Sequence, residues 1–350
     1  MKKVLVLGGG GFIGRKIVEH LLRREDTHVT AADIREDASW AKWQKCSQTS
    51  TRFKAVQSDF SELNSFEKFD NSFEEIYMLA AIVGVNHTLK NPSKVIEANT
   101  RLTLNTLSWL AKNPVRKVLF TSSSENYAAT SDLFDVGLPA SEDVPLCIGD
   151  ITHPRWTYAI TKIHGESAFF HSAKKLGHQC TIIRYQNIIG PNMGFGHAIP
   201  HIVERFVNKL QDPMKIYGHD QTRSFCFVDD AVEGTVAAME SDNSTNQIYH
   251  IGNPEEVTMD ELTRFIGDLL QYSGEYSEAM TYPGSVSRRC PNIGKASRDF
   301  GYAPKYSWKD AVRLTVEWYD DFFSSGNKPS SGGFESPESI ISKMSSSCKG

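Results

Sequence analysis

Two residues that can carry acid–base chemistry lie four positions apart in the stretch RWTYAITK, which covers residues 155–162. They are Tyr158 and Lys162, and residues at this spacing share one face of an α-helix. A phenol and an ammonium group on one helix face are a candidate catalytic pair, but the same spacing arises by chance in many helices. The pair alone therefore leaves two interpretations open, a catalytic pair or an ordinary helix face.

A second group of residues, near the N-terminus, has types and spacing that suit a dinucleotide. The apolar run VLVL leads into GGGGFIG, which places Gly8, Gly11 and Gly14 before a helical pattern. Such glycines allow a tight turn, close approach to a pyrophosphate and close helix–strand packing, and the helix N-terminus favours negative charge. Asp33, 19 residues after Gly14, ends the next apolar run, where a carboxylate can bind the adenosine ribose hydroxyls. Because that carboxylate repels a 2′-phosphate, NAD is the predicted cofactor rather than NADP, with Arg35 as the argument against.

The elements that would position these groups alternate along the first half of the chain. Short runs rich in Val, Ile and Leu predict strands at 3–8, 28–33, 53–57, 75–81, 117–123 and 180–185. The longer stretches between them predict helices at 12–24, 93–112 and 156–176. Continuous apolar strands separated by helices are typical of a parallel sheet covered on both faces. We therefore expect an α/β protein with a doubly wound parallel sheet of the Rossmann type.

The pattern changes after residue 185. Helical patterns near 198–210, 229–240, 258–272 and 308–323 are separated by loops that contain Gly and Pro. We predict an NAD-binding Rossmann domain over 1–185 and a smaller mixed α/β substrate-binding region over 186–323. The remaining residues, 324–350, are rich in Ser, Gly, Pro and Lys and cannot bury enough apolar surface, so we predict a disordered tail.

The composition disfavours several other classes of protein. The 350 residues carry a net charge of −4 with dispersed Lys and Arg, which gives no footprint for nucleic acid or a membrane surface. No apolar run approaches the roughly 18 residues of a membrane span, so we expect a cytoplasmic protein. The six cysteines are scattered without a CxxC pair and are predicted to be reduced thiols. His197 and His201 form an HxxxH without the acidic residue of a zinc site, so no metal is predicted.

Eight short motifs follow one another in an order that resembles one family, the extended short-chain dehydrogenase/reductases that act on nucleotide-diphosphate sugars. The resemblance covers about residues 1–320. The motifs are GGGGFIG, SDF at 58–60, MLAA at 78–81, TSSSENY at 121–127, YAITK at 158–162, RYQNIIGP at 184–191, RSFCFVDDAVEG at 223–234 and SRRCPNIGKA at 287–296. Any one of them is a weak signal, but all eight in sequence are hard to explain by chance.

The resemblance implies that Tyr158 and Lys162 are the family's catalytic YxxxK pair, and that Ser123 hydrogen-bonds the same sugar hydroxyl. A phenol is a poor base at neutral pH because its pKa is about 10. The Lys162 ammonium and a cationic nicotinamide are both expected to lower that pKa. Tyr158 would then take a proton from the sugar hydroxyl while the sugar carbon gives hydride to NAD.

The resemblance also implies the remaining contacts. Those to the cofactor are Gly8, Gly11, Phe12, Ile13, Gly14, Asp33, Asp59, Phe60, Ala80, Ala81 and Lys162, and those to the substrate are Ser124, Asn187, Arg223 and Arg289. Asn187 matches a polar contact to the sugar or diphosphate, and Arg223 matches an arginine whose planar guanidinium suits phosphate oxygens. The chain departs from the family at Gln186, where an aromatic or apolar residue is usual, and at Asn126, where Val is usual. Both departures leave the shape of the sugar pocket open.

The reactions of the family share one intermediate, because a ketone at C4 acidifies the C5 hydrogen and makes a C5 carboxylate a leaving group. Glu125, the fourth predicted catalytic residue, resembles the acid of decarboxylases and dehydratases, and it can move a C5 proton or position a leaving carboxylate. Arg289 in RRCPN and the PRW stretch before Tyr158 also resemble decarboxylases. Against this, epimerases are the commonest activity on the scaffold, and they use an arginine in a similar place.

We therefore expect an NAD-dependent nucleotide-sugar epimerase, with a lyase of the UDP-glucuronate decarboxylase or 4,6-dehydratase kind close to parity. A net sugar dehydrogenase or reductase, or a non-catalytic NAD-binding protein, is the alternative of another class. The intact set of Ser123, Tyr158 and Lys162 disfavours the binding protein. The default substrate is a UDP-sugar, and the resemblance implies a homodimer formed through the helices near 93–112 and 156–176.

Overall fold

A parallel sheet lies at the centre of the computed structural model, which describes residues 1–69, 72–134, 136–281, 285–329, 335–337 and 339. The strands of these residues are β1 Lys2–Leu7, β2 Thr27–Asp33, β3 Phe53–Gln57, β4 Glu75–Met78, β5 Lys117–Ser123, β6 Gln179–Tyr185, β7 Ile188–Ile189, β8 Met214–Tyr217, β9 Thr222–Ser224, β10 Cys226–Phe227, β11 Gln247–Ile251, β12 Glu256–Thr258 and β13 Tyr276–Ala279. Seven of them form the central sheet in the order β11-β6-β5-β4-β1-β2-β3. The other strands make two-stranded pairs, β10 with β7, β12 with β9 and β13 with β8.

Helices cover both faces of this sheet. They are α1 Phe12–Leu22, α2 Ala38–Thr49, α3 Val85–Lys90, α4 Pro92–Leu110, α5 Ala128–Leu133, α6 Trp156–Leu176, α7 Ala198–Val207, α8 Val228–Glu240, α9 Met259–Leu269, α10 Gly294–Phe300 and α11 Trp308–Ser324. Short 3₁₀ helices span Leu63–Lys68, Ser124–Tyr127 and Asp242–Ser244. Among the described residues, no helix is long and apolar enough to cross a membrane.

The first strand shows why the sheet is buried on both faces. Val4 and Val6 contribute to one hydrophobic cluster, and Leu5 and Leu7 contribute to another. Successive side chains of a strand point to opposite faces, so a continuous apolar run supplies both clusters. Burying each such side chain contributes roughly 1.5–3 kcal/mol. The doubly wound α/β fold predicted from these runs is confirmed.

Most predicted elements are present with small differences at their ends, but one strand of the central sheet and the short strands of the three two-stranded pairs were not predicted. Strand β4 ends at Met78 rather than at 81, because the Leu79 and Ala80 amides both donate to the Leu7 carbonyl, at 2.9 Å each. The missed strand of the central sheet is β11, which pairs in parallel with β6 from Gln247↔Thr181 to Ile251↔Tyr185. The sheet therefore takes one strand from beyond residue 185, and the division at 185/186 stays a prediction.

The C-terminal prediction falls mainly outside the described residues. Ser324 is the last residue of α11, and beyond it the structure describes 325–329, 335–337 and 339. The disordered tail over 324–350 stays a prediction for the rest.

The helix that carries Tyr158 and Lys162 has clear sequence signals at both ends. Pro154 precedes it, and the Thr157 hydroxyl donates to the Pro154 carbonyl at 2.8 Å. It ends at Gly177, whose φ of 80° is the left-handed conformation that glycine adopts at low cost. Along its length α6 packs against α4 and against β5 and β6. These contacts fix helix α6 to the sheet.

Candidate active site

A cavity of about 1080 Å³ opens beyond the carboxyl ends of β1 to β6. In doubly wound sheets this edge is where ligands bind. Every residue predicted to be catalytic or to contact cofactor or substrate borders this cavity, namely Gly8, Gly11, Phe12, Ile13, Gly14, Asp33, Asp59, Phe60, Ala80, Ala81, Ser123, Ser124, Glu125, Tyr158, Lys162, Asn187, Arg223 and Arg289. The structure thus brings all of them together, while their individual roles stay predictions.

The glycine loop has the geometry that a pyrophosphate needs. Gly8 has a φ of +84°, and a Cβ on it would lie 2.6 Å from the Ala80 backbone nitrogen. A Cβ on Gly14 would lie 2.1 Å from the Gly8 carbonyl oxygen. Gly11 is the N-cap of α1 and has no side chain to bond the first amides of that helix. The loop therefore presents free space and helix N–H groups, which fit the pyrophosphate of NAD.

Asp33 ends β2 and faces the loop. Its Oδ2 accepts a hydrogen bond from the Gly10 amide at 2.8 Å, and its Oδ1 accepts one from the Arg35 amide at 3.1 Å. These bonds fix the carboxylate at the cavity wall, where it suits the ribose hydroxyls. The Arg35 guanidinium donates to Asp37 at 3.0 Å. The nearby cation that argued for NADP is thus paired with a second carboxylate.

Two further predicted cofactor contacts lie beyond β3. The Asp59 carboxylate accepts a hydrogen bond from the Ser61 amide at 2.9 Å. The Phe60 ring packs against Phe66 and Phe69, with ring centroids 5.2 and 5.1 Å apart. Phe60 is only 3% exposed, so its ring belongs mainly to the core.

Asn99 of α4 is a residue that the sequence analysis missed. Its Oδ1 accepts from the Ile82 amide at 2.7 Å, and its Nδ2 donates to the Ile82 carbonyl at 3.1 Å and to the Thr161 hydroxyl at 3.3 Å. The loop after β4 is thereby attached to both α4 and α6. The motif MLAA marks that loop, but no local pattern links it to a side chain on the next long helix.

Lys162 is buried beneath the cavity, one turn after Tyr158. Its Nζ donates to the Thr121 carbonyl at 2.7 Å and lies 5.7 Å from the centroid of the Tyr158 ring. Burial lowers the pKa of Lys162 to about 8, although the charge of Glu166 opposes this shift. Lys162 is therefore attached to β5 and close to Tyr158.

The pKa of Tyr158 differs from the expectation. It is raised, mainly by burial and further by the charge of Glu125, and only the hydrogen bond with Ser123 lowers it. Lys162 is not among the groups that lower this pKa, and its ammonium donates to the Thr121 carbonyl. The phenol is therefore neutral in the protein alone.

The turn after β5 carries three of the predicted residues. Ser123 caps the 3₁₀ helix Ser124–Tyr127, and its Oγ accepts a hydrogen bond from the Glu125 amide at 3.2 Å. Ser124 is buried at 3% exposure. This compact turn brings a hydroxyl and a carboxylate to the edge of the cavity beside Tyr158.

Glu125 lies between two arginines from distant parts of the chain. Its Oε1 is 2.6 Å from Arg289 Nη1, and its Oε2 is 3.2 Å from Arg155 Nη2. Burial alone would raise the pKa of Glu125, but the charges and hydrogen bonds of Arg289 and Arg155 lower it to about 2. Glu125 is thus ionised at neutral pH. The sequence analysis named PRW only as a resemblance and gave Arg155 no role.

The predicted substrate contacts beyond β6 are held by short loops and strands. Asn187 has a φ of 37°, and its Nδ2 donates to the Ser224 carbonyl at 3.0 Å. The Arg223 guanidinium donates to the Thr222 carbonyl at 2.7 Å and to the Ser285 hydroxyl at 3.0 Å. These hydrogen bonds fix the orientation of both side chains at the cavity.

The two departures from the family pattern lie behind the cavity rather than on its wall. Asn126 is fully buried, and its Nδ2 donates to Ser122 at 2.9 Å and to Glu166 at 2.7 Å. The Gln186 side chain donates to the Tyr127 hydroxyl at 2.7 Å.

Within the described residues, no group of three or more His, Cys, Asp or Glu could hold a metal ion.

The fold and the site together define a class. A parallel Rossmann-type sheet, a glycine loop followed by an acid at the end of β2, and a Ser/Tyr/Lys set at one cavity are the features of a dinucleotide-dependent short-chain dehydrogenase/reductase.

Comparison with known proteins gives the family. The model of the NAD dependent epimerase/dehydratase family matches residues 4–252, and the chain belongs to this family. A UDP-N-acetyl-alpha-D-glucosaminuronate decarboxylase of Bacillus cytotoxicus is 31% identical over 91% of this chain and 98% of that protein. UDP-glucuronic acid decarboxylase 3 of Arabidopsis thaliana is 31% identical over 90% of this chain and 88% of that protein.

Solved structures agree on the fold. A UDP-glucuronic acid 4-epimerase of Bacillus cereus, in complex with UDP-glucuronic acid and NAD, aligns with a TM-score of 0.78 at 23% identity, over 91% of this chain and 99% of that chain. The family confirms the predicted enzyme class, an NAD-dependent nucleotide-sugar epimerase, decarboxylase or dehydratase, and confirms NAD as the cofactor.

Proposed function

We propose that the protein is a decarboxylase of a UDP-linked hexuronate, which uses NAD without net consumption. The observation that carries this proposal is the placement of Glu125 between Arg289 and Arg155 at the cavity wall, beside Tyr158. Four relatives that are 31% identical over nine-tenths of the chain are decarboxylases of UDP-hexuronates, which supports the same reaction.

In the proposed reaction, the residues at the cavity serve oxidation at C4 and binding of the substrate. NAD held by the glycine loop and Asp33 would supply the hydride acceptor for C4 of the sugar, and the positive charge of its nicotinamide would favour the Tyr158 phenolate. Tyr158 takes the proton of the C4 hydroxyl, and Ser123 hydrogen-bonds the same oxygen. Lys162 places its positive charge one helical turn from Tyr158 on α6. Asn187 and Arg223 orient the sugar and the diphosphate.

The carbon–carbon bond breaks once C4 is a ketone. The C5–C6 bond electrons move into the C4 carbonyl to give an enolate, carbon dioxide leaves, and a proton from solvent adds to C5. Arg289 and Arg155 position the C5 carboxylate, and the ionised Glu125 disfavours that carboxylate more than it disfavours neutral carbon dioxide. Tyr158 returns its proton to the C4 oxygen when hydride returns to C4.

The second candidate is C4 epimerisation of the same kind of sugar. It is favoured by the Ser123, Tyr158 and Lys162 set, which serves oxidation at C4 whatever step follows. The fold that the chain shares with a UDP-glucuronic acid 4-epimerase supports this candidate. In an epimerase the arginines would bind the carboxylate and retain it.

One experiment tests the proposal and separates it from the alternatives. UDP-glucuronate, UDP-glucose and GDP-mannose are incubated with the protein, and the molecular masses of the products are measured by mass spectrometry after chromatography. Loss of the mass of carbon dioxide from UDP-glucuronate is the expected result. An unchanged mass with a new retention time would replace the proposal by the epimerase, and a stoichiometric rise in NADH would replace it by a dehydrogenase. Tyr158→Phe is expected to abolish turnover.

Three further expectations belong to the same proposal, and they concern the roles of the two regions, the cellular location and the oligomeric state. Residues 1–185 would bind NAD and residues 186–323 the nucleotide sugar. The protein would work in the cytoplasm as a homodimer through α4 and α6, which pack side by side and expose Ile96 and Leu104 of α4 at 39% and 49%. Sedimentation of the full chain at several concentrations measures the dimer.

A further inference from the structure

A buried polar cluster lies directly beneath the catalytic turn. It consists of Ser122 at the end of β5, Asn126 in the turn, Glu166 on α6 and Arg184 on β6, and each is at most 5% exposed. Oε1 of Glu166 accepts from Ser122 Oγ at 2.6 Å, from Asn126 Nδ2 at 2.7 Å and from Arg184 Nε at 2.9 Å. Oε2 accepts from Arg184 Nη2 at 2.8 Å. One carboxylate therefore joins four elements of the fold.

The cluster complements the bond made by Lys162. Lys162 and Glu166 are one helical turn apart on α6, and they bind consecutive residues of β5, the Thr121 carbonyl and the Ser122 hydroxyl. Two attachment points prevent the helix from both sliding and rotating against the strand. Since Tyr158 is on this helix and Ser123 is on this strand, the two points set the distance between them.

Asn126 extends the attachment to the turn itself. Its side chain is directed down to Ser122 and Glu166, while Glu125, the preceding residue, is directed to Arg289 at the cavity. A shift of the turn would therefore break the buried hydrogen bonds of Asn126, which is costly because the amide is inaccessible to water. The bonds of Asn126 hold the Glu125 carboxylate in place from below.

We propose that Asn126 and Glu166 are positioning residues that fix the turn 123–125 against α6, so that Ser123 and Tyr158 meet the C4 hydroxyl of the sugar while Glu125 lies beside its C5 substituent. Neither side chain borders the cavity, so they act through the residues that do. A displacement of about 1 Å at a reacting group costs on the order of 100-fold in rate. The inference rests on oxidation at C4, which the proposed decarboxylase and the epimerase share.

The test compares two buried asparagines. Asn126→Val removes both hydrogen bonds of the positioning amide. Asn113→Val is the matched control, because Asn113 is also buried, its Nδ2 donates to the Trp109 carbonyl at 2.8 Å, and it lies beyond the end of α4, away from the cavity. Three quantities are measured: the single-turnover rate of NAD reduction by UDP-glucuronate, the Kd of that sugar nucleotide, and the free energy of unfolding.

Asn126→Val is expected to slow NAD reduction at least tenfold while the Kd of UDP-glucuronate changes less than twofold. Asn113→Val is expected to keep the rate within twofold at a comparable loss of stability. A wild-type rate in Asn126→Val, or an equal slowing in the control, would overturn the inference. If the wild-type protein does not oxidise UDP-glucuronate, the same rates are measured with UDP-glucose. A failure of the proposed function therefore changes the sugar nucleotide that is used, while Asn126→Val is still compared with Asn113→Val.

Glu166→Gln gives an independent measurement on the same cluster. It keeps the shape of the side chain but removes the charge that pairs with Arg184. The variant is expected to slow NAD reduction, and the loss in the double variant is expected to be smaller than the sum of the two single losses, because Asn126 and Glu166 share a hydrogen bond. Additive losses in the double variant would contradict a shared action. If Glu166→Gln does not fold, Asn126→Val against Asn113→Val decides.

Discussion

Glu125→Gln is expected to destabilise the protein by an amount that depends on pH. The two arginines lower the pKa of Glu125 from its usual 4.5 to about 2. A shift of this size corresponds to roughly 3 kcal/mol at neutral pH. Because the pKa is lower in the folded state, this stabilisation is complete above about pH 4.5 and is lost as the pH falls towards 2. Since the Glu125 side chain is 28% exposed, we expect a measured loss of roughly 2–3 kcal/mol at pH 7.

The assay is urea unfolding of the wild-type protein and the variant at pH 7 and at pH 3.5. The difference in free energy of unfolding should shrink by roughly 1 kcal/mol between these pH values. Glu97→Gln is the matched control, because Glu97 pairs with Arg101 at 3.0 Å while both side chains are more than half exposed. That control should lose no more than about 0.5 kcal/mol at either pH. A loss in Glu125→Gln as small as in the control, or one independent of pH, would refute the assigned ion pairs.

Two further predictions concern the cofactor and the catalytic pair. Gly8→Ala places a Cβ 2.6 Å from the Ala80 nitrogen at a positive φ, so we expect NAD affinity to fall at least tenfold in a fluorescence titration, and unchanged affinity would contradict the loop geometry. The pKa of Lys162 is about 8, so the rate of NAD reduction should decrease as the pH rises through that value and the ammonium loses its proton. Lys162→Met should be at least about 100-fold slower and lack this limb of the pH profile; a limb that persists would assign it to another group.

The sequence predicted the fold through local patterns and missed what depends on distant pairing. Six strands of the sheet are short runs rich in apolar residues, with helical patterns between several of them, and this alternation along the chain is typical of a Rossmann fold. Strand β11 is different, because its first residue, Gln247, is exposed and it lies at the edge of the sheet. It is recognisable as a strand of this sheet only from its pairing with β6, more than 60 residues earlier in the chain.

The site shows the same division. All the predicted site residues border the cavity. The sequence could locate them because the patterns that mark them are short and continuous. These patterns did not reveal how Arg155 and Arg289 meet on one carboxylate, since these residues lie 30 and 164 positions from Glu125. Nor did they reveal that the pKa of Tyr158 is raised rather than lowered, since that follows from burial and from the nearby charge of Glu125.

The two carboxylates beside the catalytic turn have opposite surroundings, and this difference bears on which reaction follows oxidation. Glu166 binds groups of the sheet and the turn, all buried, so it is a fixed point of the fold. Glu125 binds arginines from two loops that border the cavity, so its partners are the same groups that a substrate carboxylate would contact. If the substrate is the hexuronate that we propose, its carboxylate would meet the Glu125 anion and the cations of Arg155 and Arg289. We propose a hexuronate because an uncharged sugar would have no group for the two arginines to bind.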